Sequence, residues 1–235
     1  MRVPLVFLTL TLVGSVAAQS QTLHYTGEWR LIEAGRVRVH IGVDSGQLAL
    51  ETAGLAERLY PVRNTYTVNY DRQLCAAASV EDYRQGRKHR EIRVTYSKEK
   101  ALRVERDLAR AGAQVGSGEV AVPACVHDVL GALEQLRRQP RSEAGAVWRV
   151  PISNGKRAAN VEVRTLNREK VRTPAGEYHT TRYEAMLFNG VIFRRSARLF
   201  VWLTDDARRL PVQIRVQMPF YLGTVTLQLE KEEPG

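Results

Sequence analysis

Val37-Arg38-Val39-His40-Ile41-Gly42-Val43 runs into Asp44-Ser45-Gly46, and apolar residues resume at Leu48 and Leu50. Side chains on an extended strand point alternately to opposite faces. Val37, Val39, Ile41 and Val43 therefore share one face, and Arg38, His40 and Asp44 share the other. The pattern has period two, not 3.6, so it reads as a strand with one face buried. A turn at Asp44-Ser45-Gly46 with a return strand behind it makes an antiparallel hairpin.

The same period recurs outward from this hairpin. Tyr66, Val68 and Tyr70 alternate with polar residues, as do Ile92, Val94 and Tyr96, and then Leu102 and Val104. Trp148, Val150 and Ile152 lead to Asn154-Gly155, a strong hairpin signal, with Val161 and Val163 on the partner strand. Pro174-Ala175-Gly176 is a further turn. Ala197, Leu199, Val201 and Leu203 run up to Asp205-Asp206, and Val212, Ile214, Val216 and Met218 run toward Phe220. Gly223 opens a last strand through Val225, Leu227 and Leu229.

One segment departs from the pattern. Between Pro123 and Arg138, the residues Val126, Leu130, Leu133 and Leu136 follow helical spacing, with Arg137 and Arg138 at the end and Pro140 beyond. The stretch Ala109 to Glu119, with three Gly and one Ser, reads as a flexible connection. The expected fold is mainly β: an antiparallel curved sheet or a partly open β-barrel, with one packed α-helix at about residues 123–138. Whether such a barrel closes depends on shear and tilt, which alternation does not encode.

The first eighteen residues read as an export signal. Arg2 supplies the positive start, Val3 to Val13 is mostly apolar, and Val16-Ala17-Ala18 offers small residues for cleavage between Ala18 and Gln19. Residues 19–235 then form a single β-rich domain, periplasmic or secreted. The apolar run is shorter than the ~20 residues a helical membrane span needs, and no transmembrane segment follows it. No Cys follows the cleavage point, so no lipid anchor is expected.

The 235-residue chain carries 35 Lys and Arg against 25 Asp and Glu, a net charge of +10. Only six of the cations are Lys and 29 are Arg, whose planar fork suits phosphate and carboxylate. Either an anionic partner is implied or the arginines are spread over solvent-facing positions. Two cysteines, Cys75 and Cys125, make one disulfide the natural reading in an oxidising compartment. The alternative is two buried thiols too far apart to bond.

Several stretches taken together resemble a known family. They are Tyr25-x-x-Glu-Trp29-Arg-Leu-Ile-Glu-Ala34-Gly35, Val122-Pro123 with Val126-His127-Asp128-Val129-Leu130-Gly131-Ala132-Leu133, Glu169-Lys-Val171-Arg-Thr173-Pro174-Ala175-Gly176-Glu-Tyr178, and Trp202-Leu203-Thr204-Asp205-Asp206-Ala-Arg208-Arg209-Leu-Pro211-Val212. Their order and spacing resemble the exported bacterial proteins grouped as domain of unknown function 3108. The resemblance implies export and a β-rich fold. It transfers no catalytic residue.

Candidate sites are few. Asp128 next to His127 could hold a base, but a carboxylate at a helix start ordinarily serves the helix dipole and its free amides. Asp205-Asp206 would suit an acid pair, except that adjacent strand residues face opposite ways, and a turn explains them better. Arg84, Arg87, Lys88 and Arg90 cluster between two β runs, as an anionic-surface contact or a solvated hairpin tip. Nucleic acid is not expected, since no aromatic stacking platform accompanies the charges. The five His share no ligand spacing, and no H-E-x-x-H, phosphate loop or G-x-S-x-G is present, so no metal, cofactor or catalytic residue is assigned. The leading expectation is a non-catalytic binding or carrier module for an amphiphilic or anionic envelope ligand, such as a lipid. By fold analogy alone it is similar to periplasmic lipoprotein carriers, in which a half-barrel curls around helices. An envelope interaction protein with an Arg-rich surface comes second, and an envelope hydrolase last.

Overall fold

The computed structural model describes residues 20–30, 32–186, 197–218 and 223–234. The expected signal peptide with its Ala18–Gln19 cleavage point, and Phe220, lie outside the described residues.

Alternation becomes strand throughout. The first meander is β1 (Gln21–Trp29), β2 (Ile32–Ile41), β3 (Ser45–Thr52), β4 (Val62–Tyr70), β5 (Ala76–Gln85), β6 (Lys88–Tyr96), β7 (Lys100–Asp107) and β8 (Ala113–Ala121). The second is β9 (Val147–Ser153), β10 (Ala158–Thr173), β11 (Gly176–Met186), β12 (Arg198–Thr204), β13 (Pro211–Gln217) and β14 (Thr224–Pro234). A six-residue helix α1 (Gly54–Leu59) links β3 to β4, and α2 (Val129–Arg138) links the two meanders.

The two meanders join where β1 pairs antiparallel with β14, giving one 14-stranded sheet with β8 and β9 at its edges. The sheet does not close into a barrel. Inward side chains from nine strands, among them Tyr25, Val39, Leu48, Val150, Val163, Ala185, Val201, Ile214 and Leu227, line one space against α2. The sheet therefore curls round the helix. The crossover between the edges staples β9: His127 N donates to Pro151 O (2.9 Å) and Ser153 N donates to His127 O (2.9 Å), a parallel bridge on an otherwise open strand.

Four details differ from the sequence-based expectation. The hairpin turn lies at Gly42–Asp44, closed by Gly42 N donating to Ser45 O (2.8 Å), and Val43 is 63% exposed outside the strand. Gly46 belongs to β3 because the Tyr70 hydroxyl lies across it; a Cβ there would sit 2.1 Å from that oxygen. The helix starts at Val129, not near Pro123, because Val126 O accepts from Ala76 N (2.8 Å) and His127 pairs with β9, which keeps that backbone extended. Ala109 to Glu119 is no free connection: a 3-10 turn at Leu108–Arg110 leads into β8, which pairs along β7. In β7 the phase is reversed, with Ala101 wholly buried and Leu102 44% exposed.

Candidate functional site

α2 is fixed at both ends. At its start Asp128 is extended (φ −85°, ψ −172°), and its carboxylate accepts from Leu130 N (3.1 Å) and Gly131 N (2.8 Å). This is N-capping, which satisfies amides that have no intrahelical partner. Gly131 is required beside it, since a Cβ there would meet Asp128 Oδ1 at 2.9 Å and Leu74 O at 3.0 Å. The His127 ring donates from Nδ1 to Leu74 O (2.7 Å). Cys75 and Cys125 are disulfide-bonded with their Cα atoms 5.0 Å apart, tying the turn after β4 to the crossover.

At the other end two arginines exchange hydrogen bonds. Arg137 Nε donates to Arg209 O (3.1 Å) and Arg209 Nε donates to Arg137 O (2.9 Å). Arg209 Nη2 also donates to the Tyr183 hydroxyl (2.9 Å) and to Leu136 O (3.4 Å). The last carbonyls of α2 are thus capped by a buried guanidinium.

Between these anchors Val129, Leu130, Ala132, Leu133 and Leu136 face the concave sheet across an apolar cavity of about 210 Å³. Its lining is almost wholly aliphatic, and it is partly open at the Val129 end of the helix, where Val129 is 40% exposed.

A second hollow of about 330 Å³ opens beside it, and Leu48, Val129 and Ile152 line both. Its other walls mix Ile92 and Val94 with polar groups, among them Tyr66, Ser79, Glu81, Tyr96, Arg103, Asp128, Ser153 and Lys156. Burial pushes the Asp128 carboxyl above the usual carboxylate range, opposed by the Gly131 amide, the Tyr66 hydroxyl and the Leu130 amide. Burial likewise raises Glu81 against the pull of Arg103. Burial and the Asp128 charge together push the Tyr66 and Tyr96 phenols up. Phenol and hydroxyl groups at this mouth can donate and accept hydrogen bonds, and the two carboxyls supply further acceptors.

The basic residues singled out in the sequence divide between the two faces of one hairpin tip. Tyr83 pairs with Arg90 and Arg84 with His89, so Arg84 and Arg90 point to opposite faces of the β5–β6 hairpin. Arg84 is held by Asp82 (2.9 Å) and Arg90 by Glu105. Arg87 sits in the turn, and Lys88 pairs with Gln85 on the face of Arg90. Asp206 accepts from Thr204 Oγ1 (2.5 Å) and Arg209 N (3.2 Å), within the turn between β12 and β13. Among the described residues no His, Cys, Asp and Glu are grouped to hold a metal, and no helix is long and apolar enough to cross a membrane.

Sequence reasoning missed Glu81 and Arg103 as cavity-wall residues. Only the register reveals them: Ser79 and Glu81 stand opposite Val94 and Ile92, so polar groups occupy inward positions.

A search of curated proteins gives no match to the chain. Among solved structures, a β-barrel-like protein of the domain of unknown function DUF1849 from Brucella abortus is similar, with 10% identity and a TM-score of 0.63 over 94% of this chain and 99% of that one. At that identity the likeness concerns the fold. A DUF1089 family protein from Pseudomonas aeruginosa aligns over 91% of this chain and 96% of its own at 9% identity, with a TM-score of only 0.39. The family profile of DUF3108, described as a protein of unknown function, matches residues 22–230, nearly the whole described sheet with its helix and cavity, and the chain belongs to that family.

Proposed function

We propose that this chain is an exported, non-catalytic binding or carrier module that takes the apolar part of an amphiphile under α2. The observation that supports this is the cavity itself: it is walled almost wholly by aliphatic side chains and adjoins a hollow that carries polar and ionisable groups. At about 210 Å³ it is smaller than the ~300–1,000 Å³ of drug-sized sites, so it suits one hydrocarbon chain, with the polar end of the guest in the neighbouring hollow. Export matches the signal-like N-terminus and the disulfide, which oxidising compartments favour.

The test is native mass spectrometry and lipid extraction of the protein purified from its own envelope, beside an Ala132→Phe variant that fills the cavity. A co-purifying amphiphile that the variant loses is the expected result. No bound amphiphile in either protein would end this reading. The buried Asp128 and half-buried Glu81 carboxyls around one hollow favour a second reading, an envelope hydrolase. It would require Glu81→Gln to abolish a hydrolytic activity while leaving amphiphile retention intact.

A further inference from the structure

The strands whose Leu199, Val201 and Ile214 line the apolar cavity present a different set on their other face. Arg182 and Glu184 of β11, Arg198, Phe200 and Trp202 of β12, and Arg215 of β13 line an open groove of about 810 Å³. Alternation forces the contrast: odd-numbered β12 residues face the helix and even-numbered ones face this groove.

Three guanidiniums lie over two rings. Arg182 is 5.8 Å from the Phe200 centroid and 5.9 Å from that of Trp202. Arg198 is 4.9 Å from Phe200, and Arg215 is 5.1 Å from Trp202. The rings themselves are 9% and 3% exposed, so the groove offers guanidinium edges more than ring faces. A guanidinium held over a ring is pre-organised, and its N–H groups accept a planar or tetrahedral oxyanion in a fork.

Part of this donor capacity is already used. Arg198 Nε bonds Glu184 at 2.5 Å, and Arg182 Nη1 lies 3.5 Å from Glu169. Arg215 makes no ion pair among the described residues, and the enclosed Arg182 Nε has no acceptor there. Glu28, Arg30, Leu166, Gln217, Thr224 and Thr226 also line the groove. Arg182, Arg198 and Arg215 therefore share the groove with Glu28 and Glu184, with Glu169 reaching Arg182, and among the described residues Arg215 keeps its charge without an ion pair. The accessible donors for an incoming oxyanion are the guanidinium edges of Arg215 and Arg198 at the groove surface.

We propose that this groove is a phosphate-binding site, taking either free phosphate or the phosphate of a lipid head group. It is independent of the cavity on the opposite face, so either reading can fail without the other.

The test uses the full chain at 0.1 M salt in two arms. One is calorimetric titration with inorganic phosphate; the other is co-sedimentation with vesicles of phosphatidylglycerol in phosphatidylcholine against phosphatidylcholine alone. The variants are R182Q/R215Q, its conservative partner R182K/R215K, and R84Q/R87Q, which removes the same charge at the hairpin tip. Binding in at least one anionic arm is expected, weakened about 10-fold or more by R182Q/R215Q, less by the lysine pair, and within about twofold of wild type for R84Q/R87Q. The arm that responds identifies the source of the phosphate. Circular dichroism checks folding, and R215Q alone serves if the double variant unfolds. No binding in either arm, wild-type binding by R182Q/R215Q, or equal weakening by the two charge-matched variants would overturn the proposal.

Discussion

The two ends of the concave surface are built from the same kind of strand and hold different interiors. Across β9 to β13 the inward residues are Val150, Val161, Val163, Val201 and Leu203, each at most 5% exposed, with helix residue Leu136 among them. Across β5 to β7 they are Ser79, Glu81, Ile92, Val94 and Arg103. The first end is stabilised by the removal of aliphatic surface from water, at ~25 cal/mol per Å². The second end cannot use that term to the same extent, and relies on hydrogen bonds, ion pairs and covalent attachment. Arg103 and Arg90 both hold Glu105; burial alone would raise its carboxyl, but the two guanidiniums keep it below its ordinary range. α2 crosses the boundary, with its leucines in the aliphatic end and its capping Asp128 in the polar one.

The disulfide is the covalent part of that arrangement, so its loss should separate the two ends most strongly. Cys75 and Cys125 close a loop of 50 residues, worth about 4 kcal/mol on the chain-entropy model. A Cys75→Ala/Cys125→Ala variant should lose about that much in urea unfolding. Hydrogen exchange should quicken in β5 to β7 before it does in β11 to β13. Uniform loss of protection across the sheet would show that the ends are one cooperative unit and break the comparison.

Matched truncations sharpen it further. Leu203 is wholly buried in the aliphatic end, and Leu203→Ala should cost about 3 kcal/mol from lost transfer energy plus the residual cavity. Ser79 is equally enclosed at 5% exposure, yet Ser79→Ala should cost about 1 kcal/mol or less, one hydrogen-bonding hydroxyl. Equal costs would mean that the polar wall is as tightly packed as the aliphatic one.

This division was only half legible in the sequence. Val37 to Ile41, Val161 to Val163 and Leu199 to Leu203 announce inward faces because aliphatic side chains alternate with polar ones. The β5–β7 end gives no such announcement: inward Glu81 and Arg103 look like outward residues until the register sets them opposite Ile92 and Val94. Leu102 misleads for the same reason, since β7 buries Ala101 and turns the leucine outward. The helix was visible from its leucine spacing. Its start was not, because Val126 mimics a helical position while its backbone carbonyl serves Ala76. Residues that open a cavity are invisible to pattern altogether: Ala132 and Ala185 are small where a larger side chain would have filled the space.

Asp128 gives the smallest and most discriminating test, because it belongs to both ends at once. Asp128→Ala removes the acceptor for the Leu130 and Gly131 amides and should cost about 1–2 kcal/mol. Asp128→Asn retains an N-cap acceptor and should stay within about 1 kcal/mol of wild type. The two differ in pH dependence as well. Burial raises the Asp128 carboxyl from its ordinary 3.8, so the folded chain holds that proton to a higher pH than the unfolded chain does. Stability from this group is then complete below pH 3.8 and declines as the pH rises through the folded value, because the folded state binds more protons over that window. Asn has no such proton. Urea unfolding from pH 4 to pH 7 should therefore show Asp128→Asn gaining on wild type as the pH rises. A constant difference, or one that moves the other way, would place the capping carboxylate in a wetter environment than the polar wall around it provides.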